Sequence, residues 1–189
     1  ICACLVGSEM CIRDRTYKMA SSQEADAKFF YIEDGEIKSG DGITTVEKDG
    51  IYRVKVDFSN KSVITKEIKS MGLWHCWDRN VLLDLPYIGN GVFEGTGTIS
   101  PSNNDNRYKL LMVYADDSEL IWGTKNDTDV VPGANPDPSY FYIMETNDNA
   151  EAGQWDRKWK FNDGIIGNNT KVRVIFTGEN YTHSIEPVN

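Results

Sequence analysis

Cysteine is scarce where it would matter in this chain. Four occur in 189 residues, and Cys2, Cys4 and Cys11 all belong to the first few positions. Only Cys76 lies in the body of the sequence, so no disulfide framework is expected there. Histidine is scarcer still: His75 and His183 are the only two, and the usual zinc-ligand spacing cannot be built from them. No apolar run approaches the roughly 20 residues that a membrane-crossing helix needs. Positive charge is also short. With 20 Lys and Arg against 29 Asp and Glu, the net charge is −9. Such a balance repels phosphate backbones and disfavours nucleic acid as a partner.

The first residues stand apart from the rest of the chain. The string "CLVGSEMCIRDR", residues 4–15, has no common apolar face for a helix or a strand, since Val6, Met10 and Ile12 share none. Residue for residue it resembles a translated sequencing-library adapter, and residues 1–15 are therefore expected to stand outside the fold. On this reading the native start lies upstream. Residues 16–44 then read as a partial strand region or the end of a preceding module, and residues 45–189 as one module.

What the chain does have is a recurring unit: a short run of β-branched and aromatic residues bounded by Gly, Asn, Asp or Pro. That is the signature of strands. The clearest case is "GIYRVKVDFSNKSVITKEIKS", read as an antiparallel hairpin over residues 51–58 and 62–69. Tyr52, Val54, Val56 and Phe58 alternate with Arg53, Lys55 and Asp57, which places the first set on a buried face. Further strands are predicted over 28–33, 81–87, 92–100, 107–115, 119–122, 140–145, 155–161, 171–176 and 182–186. Turn clusters such as "IGNG", "SPSNNDN" and "NDGIIGNN" separate them. Only residues 21–27 have helical propensity. The expected fold is all-β, an antiparallel β-sandwich of immunoglobulin-like or carbohydrate-binding-module-like type.

All five tryptophans lie between Trp74 and Trp159. Large aromatics most often fill cores, and Trp159, which shares a strand face with Trp155, Arg157 and Phe161, is expected to do so. Trp74, Trp77 and Trp122 adjoin polar loops instead, and Trp155 sits in "GQWDRKW". A flat indole beside amides and charges is what a sugar needs. The ring takes up the C–H face of a pyranose, and polar neighbours bond its hydroxyls. The candidate glycan-binding residues are accordingly Trp74, Trp77, Asp78, Trp122, Lys125, Asn126 and Trp155.

Other constellations are weaker. His75 and Cys76, adjacent on a strand, point to opposite faces and make no nucleophilic pair. "SPSNNDNR" and "KNDTD" offer oxygens that structural calcium could use, but lack the glycine and terminal glutamate of a calcium loop, so they read as Asx turns. No cofactor or catalytic residue is expected. In so acidic a chain some carboxylate pair always falls at a glycosidase separation, and none has a distinctive setting.

Taken in order, "DGIYRVKVD" from Asp49, "YIGNGVF" from Tyr87, "RYKL" from Arg107, "IWG" from Ile121, "PSYFYI" from Pro138, "QWD" followed by "WKF", and "NYTHSIEP" from Asn180 form a set. The set resembles the outer-membrane lipoproteins of the starch-utilisation-system E and F type, across residues 45–189. The resemblance implies a surface-exposed protein of tandem β-sandwich modules, anchored through a lipidated cysteine upstream. Such a protein captures polysaccharide or oligosaccharide for an outer-membrane transporter and is not an enzyme. Two other readings stay open: a ligand-free spacer, which requires buried tryptophans, and a small glycosidase, which requires paired carboxylates in a cleft.

Overall fold

A computed structural model describes residues 2–4, 10–12, 16–20, 26, 28–46, 48, 50–57, 60, 62–124, 141–145, 158–177 and 180–188. Among these residues the secondary structure is strand throughout, apart from one short 3-10 turn at Ser102–Asn104. The all-β expectation holds, and nearly all pairings are antiparallel. Internal contacts divide the chain into two units. One comprises Ile1–Ile68 and Phe176–Glu179; the other comprises Lys69–Ile175 and Asn180–Asn189. The division falls inside a strand, at 68/69.

The first unit holds β1 (Cys2–Cys4), β2 (Met10–Ile12), β3 (Thr16–Ala20), β4 (Phe29–Glu33), β5 (Glu36–Ser39), β6 (Thr44–Thr45), β7 (Tyr52–Asp57) and the start of β8 (Ser62–His75). The β7–β8 hairpin forms where it is predicted, with a register from Tyr52 opposite Glu67 to Asp57 opposite Ser62. Tyr52, Val54 and Val56 are buried together with Met19, against Phe30, Ile32, Ile37, Val46 and Val63. The apolar alternation is thus a core face, while the side chain of Lys55 lies outside what is described. Asp34 and Gly35 both have positive φ, the conformation of a two-residue I′ turn that closes β4 onto β5. The helical propensity of residues 21–27 falls mostly outside the described residues; Asp26, which is described, is in a turn.

One expectation is corrected here. β1 pairs in parallel with β3, and β2 pairs antiparallel with β7, so parts of residues 1–15 are strand-paired. An open strand edge offers backbone N–H and C=O groups that any extended segment can meet, whatever its side chains. A missing apolar face therefore does not prevent pairing.

The second unit holds the end of β8, then β9 (Val81–Gly89), β10 (Val92–Thr98), β11 (Arg107–Tyr114), β12 (Glu119–Thr124), β13 (Phe141–Glu145), β14 (Trp159–Lys160), β15 (Asn169–Thr177) up to Ile175, and β16 (Asn180–Pro187). Hydrogen-bonded neighbours run in the order β13-β12-β11-β8-β9-β10-β15-β16, with β14 also on β11. Asn90 and Gly91, both at positive φ, close the β9–β10 hairpin. The two strands run unusually close: a Cβ on Gly95 would lie 2.2 Å from the carbonyl oxygen of Asp84. In β15, Val172, Val174 and Phe176 are buried and alternate with half-buried neighbours.

Two strands of this unit break the alternation. Met71 to His75 in β8 and Tyr108 to Met112 in β11 are buried without interruption, so both faces of these strands are covered, a sandwich-like packing. One side holds a stack of rings. Tyr108 lies 4.5 Å from Phe161 and 5.8 Å from Trp159, both nearly parallel, and His183 meets Trp159 edge-on at 4.8 Å. Trp159 and Phe161 are therefore core, as their shared strand face predicts.

Candidate functional site

Among the described residues, the turn between β8 and β9 carries the one predicted stacking face that is open to solvent. His75 N donates to Asn80 O at 2.8 Å and closes a loop of Cys76, Trp77, Asp78 and Arg79. Arg79 takes positive φ, 55°, so the chain reverses tightly there. Trp77 projects from this turn with 66 % of its surface exposed.

The other described tryptophans of the expected platform do not join it. Trp74 is 5 % exposed and packs with Leu111 and Ile121, with Cys76 and Val113 against them. Trp122 is 2 % exposed, on β12 opposite Leu110 of β11. Both belong to strands whose neighbours cover them, and an indole buried in that way contributes apolar area to the core instead of a face to a ligand. Trp74 and Trp122 are thereby corrected from platform to core. Lys125, Asn126 and Trp155 lie outside the described residues.

Around Trp77 the structure assembles groups that the spacing of the sequence does not bring together. The fully buried imidazole of His75 is bonded through Nδ1 to Asp78 Oδ1, and its Nε2 lies 3.3 Å from the carbonyl oxygen of Asp105. Asp105 belongs to the loop after β10. Its Oδ1 accepts from Arg107 Nε at 2.7 Å and from Arg107 N at 3.2 Å, and its Oδ2 accepts from Nη2 at 3.2 Å. The bond from Arg107 N makes this segment an Asx turn, the reading preferred over calcium for "SPSNNDNR". Among the described residues no group of three or more His, Cys, Asp or Glu side chains is placed to hold a metal ion.

The charges of the site are fixed by these contacts. A hydrogen bond from Ser102, and then the contact with His75, hold the Asp78 carboxyl below its ordinary range. Burial works against the charge of Asp105, but the fork of Arg107 outweighs it and the net shift is again downward. Cys76 behaves oppositely. Burial pushes its thiol up to about 12, so at neutral pH it is a protonated, unreactive, half-buried group. The arrangement offers an exposed aromatic face and an adjacent ionised acceptor. That is chemistry for binding hydroxyls.

Sequence spacing does not single out His75, Ser102, Asp105 or Arg107 for binding. The available signal is the polar density of "SPSNNDNR", which reads as a turn and says nothing of the loop it touches. No family model, curated protein or solved structure matches the chain. Among the described residues no helix is long and apolar enough to cross a membrane.

Proposed function

We propose that this chain is a non-catalytic glycan-binding module, displayed on a bacterial outer membrane through an upstream lipid anchor, and that Trp77 is its stacking face. The carrying observation is the exposed indole of Trp77 followed directly by a carboxylate held in its ionised form. The indole takes the apolar face of a sugar ring, and Asp78 accepts from its hydroxyls. An ionised Asp78 favours neutral glycans over uronate or sulfated ones by charge repulsion. The ordered motifs resembling the starch-utilisation-system E and F type support delivery of the captured glycan to an outer-membrane transporter.

The burial of Trp74 and Trp122 leaves a narrower aromatic surface than the sequence promised, and this favours the spacer reading as the competitor. Calorimetric titration with neutral plant and microbial oligosaccharides separates the two. Hydroxyl–water bonds are exchanged for hydroxyl–protein bonds on an open surface, so a dissociation constant of about 0.1–1 mM is expected. On polymers, multivalency adds to this. Trp77→Ala should weaken capture about fivefold to thirtyfold. If none of the glycans binds the parent chain, the spacer reading replaces this one.

A further inference from the structure

We infer that His75 is the positioning residue of the Trp77 turn: a buried imidazole that latches the β8–β9 turn to the loop after β10 and so fixes the orientation of the exposed indole. The inference rests on the glycan-binding reading for its consequence, but not for its geometry. His75 is the last residue of β8, with no exposed surface, and Trp77 follows two residues later. One ring nitrogen reaches Asp78 inside the turn, and the other faces the Asp105 carbonyl in a loop some thirty residues onward.

Both partners are acceptors. An imidazole that carries hydrogen on both nitrogens donates to both, and a neutral one to either. Asp78 and Asp105 are in turn anchored away from the ring, Asp78 by Ser102 and Asp105 by Arg107. The chain of contacts Ser102–Asp78–His75–Asp105–Arg107 therefore crosses from one loop to the other and back into β11. Trp77 is flanked on both sides by members of it, Asp78 next in sequence and His75 two residues before. An exposed turn whose tip residue is held from beneath in this way presents one orientation of the ring, and a pre-oriented ring loses less freedom when a sugar stacks on it.

The latch is tested on the full chain without any glycan, by time-resolved fluorescence anisotropy of Trp77, taken as the difference between each protein and its Trp77→Phe counterpart. Fast local motion of the indole should increase in His75→Leu, which keeps apolar bulk but no ring nitrogen, and return toward the parent in His75→Gln, which restores a donor. Asp78→Ala and Ser102→Ala attack the same chain of contacts from the solvent side and should loosen the ring even if His75→Leu fails to fold. Affinity electrophoresis in a gel containing a neutral polysaccharide then measures the consequence. His75→Gln should retain more affinity than His75→Leu, whose loss is about threefold to tenfold, the factor set by one net hydrogen bond. Unchanged Trp77 motion in a folded His75→Leu protein, or in Asp78→Ala, overturns the latch. Looser Trp77 motion with no glycan bound by the parent supports the latch and overturns the glycan reading alone.

Discussion

Tyr108 Oη and His183 Nε2 lie 2.9 Å apart inside the ring stack of the second unit, with both residues fully buried. Burial pushes His183 down to about 3, because an imidazolium would lose its hydration there. An unfolded chain returns this histidine to its ordinary value near ~6.5. Between those values the unfolded state binds the extra proton, so stability is complete above about pH 6.5 and falls as pH drops toward 3. The loss reaches the order of a few kcal/mol at the acid end. Asp78 and Asp105, whose carboxyls are held low, act in the same direction but only below the ordinary carboxylate range. Urea unfolding at a series of pH values above about 4.5 therefore isolates the histidine contribution. His183→Gln keeps a polar partner for Tyr108 and cannot titrate, so its stability should vary less with pH. Equal slopes in parent and variant would show that His183 is not the group responsible.

Val54 and Ile64 test the hairpin from its two sides. Val54 has no exposed surface, whereas Ile64, opposite Lys55, is 51 % exposed. Val54→Ala removes packed methyl groups and leaves a void, and should cost about 1–3 kcal/mol. Ile64→Thr keeps β-branching on a wet face and should stay within ~0.5 kcal/mol of the parent. Similar losses at both positions in denaturant titrations would refute the assigned faces.

The contrast between this hairpin and the central strands explains what could be read in advance. Tyr52, Val54 and Val56 announce a strand because their other face meets water, which imposes a period of two. Asn90-Gly91 announces a turn because both residues tolerate positive φ. "MGLWH" and "YKLLM" carry no such period, since both of their faces are covered, and a tryptophan in such a run looks the same whether a neighbouring strand or water lies beyond it. The contacts around Trp77 were beyond reach for a different reason. His75 and Asp105 are joined by the packing of two loops, and only the paired strands bring those loops together.

Residues 1–15 pose the sharpest question for the first unit. Pairing Met10–Ile12 with Tyr52–Val54 supplies a few backbone hydrogen bonds, each worth about 0.5–1.5 kcal/mol net. Ordering a segment costs about 1–2 kcal/mol per residue, which offsets that gain when little apolar area is buried. Among the residues whose burial is described, the cluster of Met19, Tyr52, Val54 and Val56 lies outside the segment. Deleting residues 1–15 should therefore change stability by less than ~1 kcal/mol, a shift in thermal midpoint of no more than about 2–4 °C. A larger drop in calorimetry would mean that the paired strands are structural.

Three tryptophans close to one another in sequence or register should respond in two distinct ways. Trp74 packs against β11 and β12, Trp122 lies between β11 and β13, and both are buried, so replacing either by Ala empties a large volume that rigid strands cannot refill. Each should cost about 3–5 kcal/mol, enough to unfold a protein at the low end of the usual range of stability. Trp77→Ala removes a ring that mostly faces water, and its stability should stay within ~0.5 kcal/mol of the parent. Solvent quenching adds an independent measure: iodide should reach the Trp77 emission, which Trp77→Phe removes, far more readily than that of Trp74 or Trp122. Should Trp77→Ala prove as destabilising as Trp74→Ala, the indole at position 77 is packed in solution, and neither a stacking face nor a latch that orients it can be built on this turn.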